Sequence, residues 1–266
     1  MIGFNHLGRM GRLGNQMFQY AALKGIARNR NFEFCLPYHP EYVDDGIGNM
    51  LKSELFDCFD IKVDHISMVE TSYINEPHFH FSEDLFNNCP DNVSLIGFFQ
   101  TEKYFKNIES EIRKDFTFKE EIYESCLQTF NELELKDPIA LHIRRGDYTI
   151  NSDRHPTLPM EYYSKALSQF PDDSSVVVFS DDSDWCEEQE IFSSDRFLIS
   201  TNADTYHDLC LMSLCSNFII ANSTFSWWGA WLANTGKVCY PSLWFGPSLN
   251  NDLKDLFLDN WTRVDV

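Results

Sequence analysis

The sequence predicts an α/β protein with two halves of similar size. A short apolar strand at residues 1–4 leads through a glycine-rich loop into a helical pattern at 15–30. After Lys136-Asp137-Pro138, apolar runs of strand length alternate with helical patterns. Strands separated by helices imply a parallel sheet with right-handed crossovers. We therefore expect an N-terminal α/β domain over 1–137 and a Rossmann-like domain over 138–266.

The individual elements follow from the period of the apolar residues. In the first half, strands are predicted at 1–4, 32–36 and 93–99, and helices at 15–30, 105–116 and 119–135. In the second half, strands are predicted at 139–143, 175–180, 196–200, 217–221 and 237–240, and helices at 159–170, 183–192, 203–215 and 223–233. Residues 37–92 are rich in Pro, Asp, Asn and His, and no element can be placed in them.

The composition excludes several classes of protein. The chain has 266 residues, 43% hydrophobic and 15% aromatic, as a folded globular protein does. Its 21 Lys and Arg against 41 Asp and Glu give a net charge of −20, which argues against a nucleic-acid binder, because such binding needs clustered cations. Any anionic ligand must be held by a local exception to this charge.

The apolar stretches, the N-terminus and the cysteines bear on membrane insertion, cellular compartment and metal binding. No stretch approaches the roughly 20 apolar residues of a membrane span, and the N-terminus lacks the pattern of a secretion signal. We therefore expect no transmembrane segment and a cytoplasmic protein. The eight cysteines include no CxxC pair, so free, buried thiols are expected rather than a zinc site or a disulfide framework.

The scarce positive charge is concentrated at two places. Residues 1–32 hold five cations and no acid, and three of the eight cations after Pro138 fall within eleven residues at 144–154. Arg9 and Arg12 are flanked by glycines and are candidates for contact with an anion. The other three N-terminal cations are expected on the solvated face of the helix; they are Lys24, Arg28 and Arg30.

The segment His142-Ile-Arg144-Arg145-Gly-Asp147-Tyr148 directly follows an apolar strand, so its side chains emerge at the carboxyl end, where ligands gather. Successive strand residues point to opposite faces, so one arginine can reach a ligand while the other pairs inside the protein. We expect the inner pair to be Arg145 with Asp147. A guanidinium suits a diphosphate because it donates two parallel hydrogen bonds to phosphate oxygens. The alternative is a structural network of arginines and aspartates.

Ser180-Asp181-Asp182 closes the next strand. A carboxylate there can accept the two donors of a guanine base, N1–H and N2–H₂, or it can cap the helix that begins near Ser183. Asp182 and Asp184 also have the D-x-D spacing that holds a divalent cation in some glycosyltransferases. Because Asp and Ser are common helix caps, capping is the favoured interpretation of Ser183 and Asp184, and no metal site is predicted.

Asn222-Ser-Thr-Phe-Ser-Trp-Trp-Gly-Ala-Trp231 follows another apolar strand and opens a helix. Hydroxyl groups, free backbone N–H groups and the positive end of the helix dipole all point to one place there, which makes an anion site. Ordinary N-capping by Ser223 or Thr224 is the alternative and is compatible with it. The tryptophans of this segment are expected to form core packing rather than a sugar platform; they are Trp227, Trp228 and Trp231.

Four segments together resemble the ordered motifs of α-1,2-fucosyltransferases, which form glycosyltransferase family 11. They are GRLGNQMFQYA (11–21), HIRRGDY (142–148), FSDDSDWC (179–186) and NSTFSWWGAWL (222–232). The resemblance implies a GT-B fold, in which two Rossmann-like domains face each other across a cleft. It also implies a GDP-β-L-fucose donor, an oligosaccharide acceptor with a terminal galactose, inversion at the anomeric carbon to give an α-1,2 linkage, and no required metal or other cofactor.

The same resemblance implies roles for individual residues. Arg144 would bind the β-phosphate and His142 would line the nucleotide cleft, and both are candidate catalytic residues together with Asp147. Asp181 or Asp182 would recognise guanine. Donor contacts are also implied for Ser223, Thr224 and Phe225 through hydroxyl and backbone N–H groups, and for Arg12, Asn15 and Gln16 from the first half of the chain.

The general base is left open by the sequence. Asp147, Asp153 and His155 all lie close to the arginines, with Asp147 favoured as a structural partner of Arg145, and a leaving phosphate oxygen could take the proton instead. Another GDP-sugar or another linkage is possible. A non-catalytic protein that binds glycans or nucleotides is the alternative of a different class. A phosphohydrolase with His142 as nucleophile is disfavoured, because no Walker A loop or Arg-His-Gly sequence is present.

Overall fold

The computed structural model describes residues 1–46, 50–70, 72–201 and 204–266, and its chain forms two compact units. Unit 1 comprises Met1–Lys119 with Asn251–Leu258, and unit 2 comprises Glu120–Asn250 with Asp259–Val266. Each unit contains a parallel sheet with helices between its strands, which confirms the predicted α/β class.

Unit 1 has a four-stranded parallel sheet in the order β2-β1-β6-β5 and a separate antiparallel pair, β3 and β4. Its strands are β1 (Ile2–Gly3), β2 (Phe34–Cys35), β3 (Val43–Asp44), β4 (Met50–Leu51), β5 (Ser72–Asn75) and β6 (Val93–Ile96). Its helices are α1 (Leu13–Arg30), α2 (Leu55–Cys58), α3 (Glu83–Asn88) and α4 (Glu109–Asp115), with 3₁₀ turns at Glu102–Tyr104 and Lys106–Ile108.

Unit 2 has a six-stranded parallel sheet. Its strands are β7 (Ile139–Ile143), β8 (Val176–Ser180), β9 (Phe197–Ile199), β10 (Asn217–Ile219), β11 (Val238–Pro241) and β12 (Thr262–Val264). Its helices are α5 (Glu120–Glu132), α6 (Met160–Leu167), α7 (Ser183–Glu187), α8 (Thr205–Ser213) and α9 (Thr224–Ala233), with 3₁₀ turns at Gly146–Thr149 and Glu190–Phe192.

The strand order of unit 2 is β12-β11-β10-β7-β8-β9. The chain therefore builds outward from β7 through β8 to β9, returns to the other side of β7, and builds outward again from β10. This is the order of a doubly wound nucleotide-binding sheet, in which ligands bind beyond the carboxyl ends of the two central strands. β7 is buried along its whole length because both faces of the sheet are covered.

The unit boundary differs from the predicted domain boundary. The predicted division lies at residue 138, whereas the units divide between Lys119 and Glu120. The reason is that α5 packs against α8 of the second sheet, and the Cys126 thiol donates to the backbone carbonyl of His207. A short segment near the C-terminus, Asn251–Leu258, also returns to unit 1.

Part of the basic face of α1 is buried and forms ion pairs, which the sequence did not predict. Lys24 is 7% exposed and its ammonium bonds to Asp115, which also accepts from the Tyr20 hydroxyl at 2.8 Å. The expectation that Lys24 is solvated was therefore wrong. The acidic partners lie about 90 residues away in sequence, in α4, so the pattern of α1 alone could not reveal them.

The three tryptophans of α9 are buried, as expected of core packing; Trp227, Trp228 and Trp231 are each at most 1% exposed. Their rings meet edge to face at 5.0 and 5.1 Å. All eight cysteines are free and buried, also as expected. Among the residues that the structure describes, no helix combines the length and apolar character needed to cross a bilayer.

Gly25 in α1 allows a close approach that an alanine would block. An added Cβ would overlap the backbone carbonyl of Tyr104, which cannot move without shifting its turn. At Gly229 of α9 the overlap is instead with the sulfur end of the flexible Met212 side chain. Although alanine favours helices by about 1 kcal/mol over glycine, we expect Gly25→Ala to lower the free energy of unfolding by about 1–3 kcal/mol.

Gly229→Ala is the matched control and should cost less than Gly25→Ala, because the side chain that it meets can rotate away. Urea denaturation of both variants beside the wild type measures the difference. Equal or greater stability of Gly25→Ala relative to the wild type would contradict the close approach of α1 to Tyr104.

Candidate functional site

The candidate site lies in unit 2 at the carboxyl ends of β7 and β10, which are adjacent strands. The loop after β7 carries the two arginines, and the loop after β10 opens α9 at Thr224. The two loops are tied together, because the Tyr148 hydroxyl donates to the backbone carbonyl of Asn222 at 3.1 Å. The reversal of strand order places both loops at the crevice where a doubly wound sheet binds its ligand.

Arg144 is held by two carboxylates. One terminal nitrogen, Nη2, donates to Asp147 Oδ1, and the other, Nη1, lies 2.7 Å from Asp181 Oδ2. The guanidinium also lies over the Tyr148 ring at 5.2 Å. A guanidinium has five N–H donors, so two such contacts fix its plane and leave donors for a ligand.

Arg145 is held separately from Arg144. Its Nε donates to Asp182 Oδ2 at 2.8 Å, its backbone N–H donates to Asp181 Oδ1 at 2.8 Å, and its guanidinium stacks 3.8 Å from the Trp185 ring centroid. The predicted pairing of Arg145 with Asp147 was therefore wrong: Asp147 pairs with Arg144. The error arose because Arg145 pairs with Asp182, which follows the neighbouring strand β8 and caps α7.

The carboxylates predicted to recognise guanine position the arginines in this structure. One oxygen of Asp181 accepts from the Arg144 guanidinium, and the other accepts from the backbone N–H of Arg145. Asp182 uses one oxygen on Arg145 and the other to cap α7, where it accepts from the Trp185 N–H at 3.3 Å. Capping therefore falls to Asp182 rather than to Ser183 or Asp184, which are the first two residues of α7.

The loop after β7 approaches Asp181 closely because residue 146 is glycine. A Cβ at Gly146 would overlap the Asp181 carboxylate. The two arginines are thus enclosed by three carboxylates, those of Asp147, Asp181 and Asp182. What this cluster offers an anion is a set of oriented hydrogen-bond donors rather than excess positive charge.

The first turn of α9 supplies further donors. Ser223 is the N-cap, and its hydroxyl accepts from the Phe225 N–H at 3.3 Å. The N–H groups of a first helical turn have no helical acceptor, and the positive end of the helix dipole lies there. Asn222, buried just before this turn, donates to the carbonyls of Pro156 and Trp244, while its side-chain oxygen has no partner among the described residues.

His142 joins β7 to α9. Its Nδ1 lies 2.9 Å from the Ser226 hydroxyl, and the side chain is 5% exposed. Burial, with a smaller contribution from the Arg144 charge, lowers the pKa of His142 to about 3. The imidazole is therefore neutral near pH 7, and its contact with Ser226 supports the first turn of α9. The catalytic role of His142 stays a prediction.

Asp153 and His155, two of the three candidates for the general base, differ in exposure. Asp153 has an exposed side chain, while its backbone carbonyl accepts from the N–H and hydroxyl of Ser248. His155 stacks on Tyr148 with ring centroids 5.0 Å apart, and burial lowers its pKa. His155 therefore orients the same tyrosine that ties the two loops together.

The candidates in unit 1 lie where α1 begins. Gln16 is fully buried, and its amide donates to the carbonyls of Gly11 and Lys52 and accepts from the Glu54 N–H at 2.8 Å. This commits Gln16 to holding the chain at 52–54, contrary to the expectation that it faces a sugar. Asn15 is partly exposed and its Oδ1 accepts from Gln100 at 2.9 Å.

The two N-terminal arginines also differ. Arg9 donates through Nη1 to the backbone carbonyls of Glu41 and Leu51, so this part of its guanidinium is committed to structure. Arg12 is exposed at the N-cap of α1, and its positive charge acts on the carboxylate of the half-buried Glu54. Burial raises the pKa of Glu54 above its usual range despite that charge.

Two residues of interest were missed from the sequence. Tyr148 was quoted in a motif without a role, although its aromatic ring and hydroxyl organise the candidate site. Glu76 follows β5, a strand that the irregular texture of 37–92 did not predict. Among the described residues, no group of three or more His, Cys, Asp or Glu side chains is placed to hold a metal ion.

The comparison with protein families decides the classification. The sequence profile of Glycosyl transferase family 11 matches residues 1–265. The chain therefore belongs to glycosyltransferase family 11. This family 11 protein is accordingly a glycosyltransferase, as its motifs implied.

Curated relatives cover nearly the whole family 11 chain. It is 29% identical to the O-antigen biosynthesis glycosyltransferase WbnK of Escherichia coli over 96% of this chain and 98% of that protein. It is 30% identical to an Alpha-1,2-colitosyltransferase of Escherichia coli over 96% of this chain and 97% of the relative. It is 25% identical to Galactoside alpha-(1,2)-fucosyltransferase 1 of Alouatta belzebul over 86% of this chain and 65% of the relative.

Solved structures share the fold at low sequence identity. The complex of POFUT1 with GDP matches with a TM-score of 0.55 and 16% identity, covering 90% of this chain and 97% of that one. The NodZ alpha-1,6-fucosyltransferase soaked with GDP-fucose matches with a TM-score of 0.55 and 14% identity, covering 91% and 94%. The family 11 protein thus has a fold of the GT-B type, as expected.

The buried neutral His142 predicts an acid-sensitive stability. Above pH 6.5 the imidazole is neutral in both states. Below it the unfolded chain binds a proton that the folded chain, with its pKa near 3, does not bind, so stability falls as the pH falls. Between pH 6.5 and pH 5 this amounts to about 2 kcal/mol, and His142→Asn should lose correspondingly less over that interval.

Urea denaturation at pH 7.5 and pH 5 measures this difference. His207→Asn is a control of opposite sign, because Asp204 raises the pKa of His207 and its protonated form stabilises the fold at low pH. Identical pH dependence of His142→Asn and the wild type would show that His142 does not stay neutral in the folded state.

Proposed function

We propose that this glycosyltransferase moves L-fucose from GDP-β-L-fucose to the 2-hydroxyl of a terminal galactose on a glycan acceptor, with inversion to an α-1,2 linkage. The observation that carries the proposal is the convergence of Arg144 and the first turn of α9 at the strand-order reversal of unit 2. Unit 2 is proposed to bind the nucleotide, and unit 1 the acceptor. Relatives named as α-1,2-transferases of fucose and colitose support the linkage.

The proposed donor site matches the chemistry of the leaving group. When the bond between fucose and phosphate breaks, negative charge develops on GDP while the sugar becomes positively charged. Catalysis requires that the site binds this charge more strongly in the transition state than in the ground state. The remaining donors of Arg144 and the N–H groups of Ser223 and Thr224 are suited to this, because their orientation is fixed before the donor arrives. The Phe225 N–H already donates to the Ser223 hydroxyl that caps the helix.

No metal is proposed for this step. Asp182, one carboxylate of the D-x-D spacing, is committed to Arg145 and to the cap of α7. The oxygens of the diphosphate would therefore accept hydrogen bonds from the guanidinium and from the start of the helix. The guanine base is proposed to use lone pairs of Asp181 or Asp182 that the arginines leave over.

A second donor sugar is supported by the name of one relative. A relative of 30% identity carries the name Alpha-1,2-colitosyltransferase, and colitose differs from L-fucose by a missing 3-hydroxyl. A nucleotide-linked colitose is therefore the second candidate donor. The two candidates share the diphosphate site and differ in the contacts to one hydroxyl.

Loss of the Arg144 guanidinium tests the proposed phosphate contact. Removal of one preoriented donor to developing charge costs about 10²–10³ in rate, so we expect Arg144→Ala to lower the turnover number by at least that factor while the protein stays folded. Arg263→Ala is the control, because this exposed arginine lies on β12 and pairs with Asp265 just after the strand. Turnover of Arg144→Ala within tenfold of the wild type would refute the role of Arg144.

A donor screen tests the substrate class. Purified protein is supplied with lactose and with GDP-fucose, GDP-colitose, GDP-mannose or UDP-galactose, each with and without EDTA, and GDP or UDP release is measured. We expect transfer from GDP-fucose and activity within twofold in EDTA. Loss of activity on chelation would contradict the metal-free mechanism. Binding of GDP without release of product from any donor would favour a non-catalytic glycan- or nucleotide-binding protein.

A further inference from the structure

The carboxyl edge of the sheet in unit 1 carries a carboxylate in an unusual setting. β1, β6 and β5 are neighbours, so the segments that follow them meet at one edge. In the pairing of β5 with β6, Asn75 lies opposite Ile96, which places the next residues, Glu76 and Gly97, side by side. A Cβ at Gly97 would overlap the Glu76 side chain, so glycine is required there.

Glu76 is oriented by the backbone of the loop after β6. Its Oε2 accepts from the Phe98 N–H at 2.8 Å and its Oε1 accepts from the Phe99 N–H at 3.0 Å. Phe99 has a φ of +53°, a conformation that a bulky residue rarely adopts. Each carboxylate oxygen keeps a further lone pair, so the group is fixed in place and can still accept a proton.

Glu76 differs in its surroundings from the carboxylates beside the arginines of unit 2. Asp147, Asp181 and Asp182 each have a carboxylate oxygen occupied by an arginine. Glu76 has no cationic partner among the described residues. Burial raises its pKa to about 7 even though both backbone N–H groups oppose the shift. A base is most effective when its pKa lies near the working pH.

The same edge has features that suit a sugar. The Phe98 side chain is 36% exposed beside the carboxylate, and sugars commonly pack on such aromatic rings. Gln100 donates to Asn15, but its own side-chain oxygen is buried without a partner among the described residues. The side-chain oxygen of Gln19, whose amide nitrogen donates to Gly97, is in the same condition. Unpaired buried acceptors cost stability, and a hydroxyl donor would relieve them.

From this arrangement we propose that Glu76 is the general base that deprotonates the acceptor hydroxyl, with the acceptor sugar bound at the edge formed by Glu76, Phe98 and Gln100. The inference rests on the proposed function. In the step, the acceptor oxygen forms a bond to C1 of the donor sugar as its proton passes to the Glu76 carboxylate. The bond from C1 to the β-phosphate oxygen breaks, its electron pair leaves with GDP, and Glu76 later releases the proton to solvent.

Glu76→Gln is the decisive variant, because glutamine keeps the shape but cannot take the proton. It retains one of the two oxygen acceptors of the loop and turns an NH2 group toward the other backbone N–H. We expect the turnover number to fall by about 10²-fold or more, with the dissociation constant for GDP within twofold of the wild type. The melting temperature should fall slightly, because one backbone N–H loses its acceptor. Glu70→Gln is the matched control: this exposed glutamate lies just before β5, and its variant should keep activity within threefold.

The pH profile gives an independent readout. In the wild type, kcat/KM should rise with pH through about 7 as Glu76 ionises, and this limb should be absent in Glu76→Gln. Glu76 also influences the pKa of a neighbouring titratable side chain, Tyr104. Burial, with Glu76 adding to it, raises the pKa of this phenol, so it stays neutral over the measured range.

The outcomes separate this inference from the proposed function. Transfer by Glu76→Gln within threefold of the wild type would overturn the base assignment and favour a leaving phosphate oxygen as the proton acceptor. Normal turnover with a lowered melting temperature would overturn it too, leaving Glu76 as an anchor of its loop. If the wild type itself transfers no sugar from any donor in the screen, the proposed function fails and this inference with it.

Discussion

The strand order of unit 2 is the constraint on which the candidate site depends. Because β10 lies beside β7 rather than beyond β9, the loops that leave these two strands start next to each other and run in opposite directions around the sheet. One loop brings Arg144 and the other brings the start of α9. The hydrogen bond from Tyr148 to Asn222 and the contact of His142 with Ser226 then fix one loop against the other.

The charges around the site explain how an acidic protein can act on an anionic diphosphate. A chain with a net charge of −20 is a poor attractor of a diphosphate at long range, and the arginines of the site are themselves surrounded by carboxylates. Those carboxylates fix the orientation of the guanidinium groups, so little reorganisation is needed when an anion binds. Fixed donors of this kind are worth most for charge that develops during a reaction. The arrangement therefore suits catalysis on a bound donor better than tight capture of a free nucleotide.

The sequence predicted those parts of the fold that depend on local pattern. β7 was predicted with its observed ends because a five-residue apolar run is flanked by Pro138 and by charged residues. The start of α9 followed from its hydroxyl residues. The partners of charged side chains could not be predicted, because Arg145 pairs with Asp182 in the loop after the neighbouring strand β8, and Lys24 pairs with Asp115, 91 residues away in the sequence. Glu76 stayed hidden for the same reason: its setting depends on the register of β5 and β6, which are separated by a helix and loops.

The central claim is that a nucleotide diphosphate binds at the carboxyl ends of β7 and β10. Hydrogen–deuterium exchange with and without GDP tests it most directly, because the claim concerns particular backbone N–H groups. The account predicts that GDP slows exchange at 144–149 and at 223–226 and leaves the loop at 97–100 of unit 1 unchanged. Protection confined to unit 1, or none at the start of α9, would contradict it.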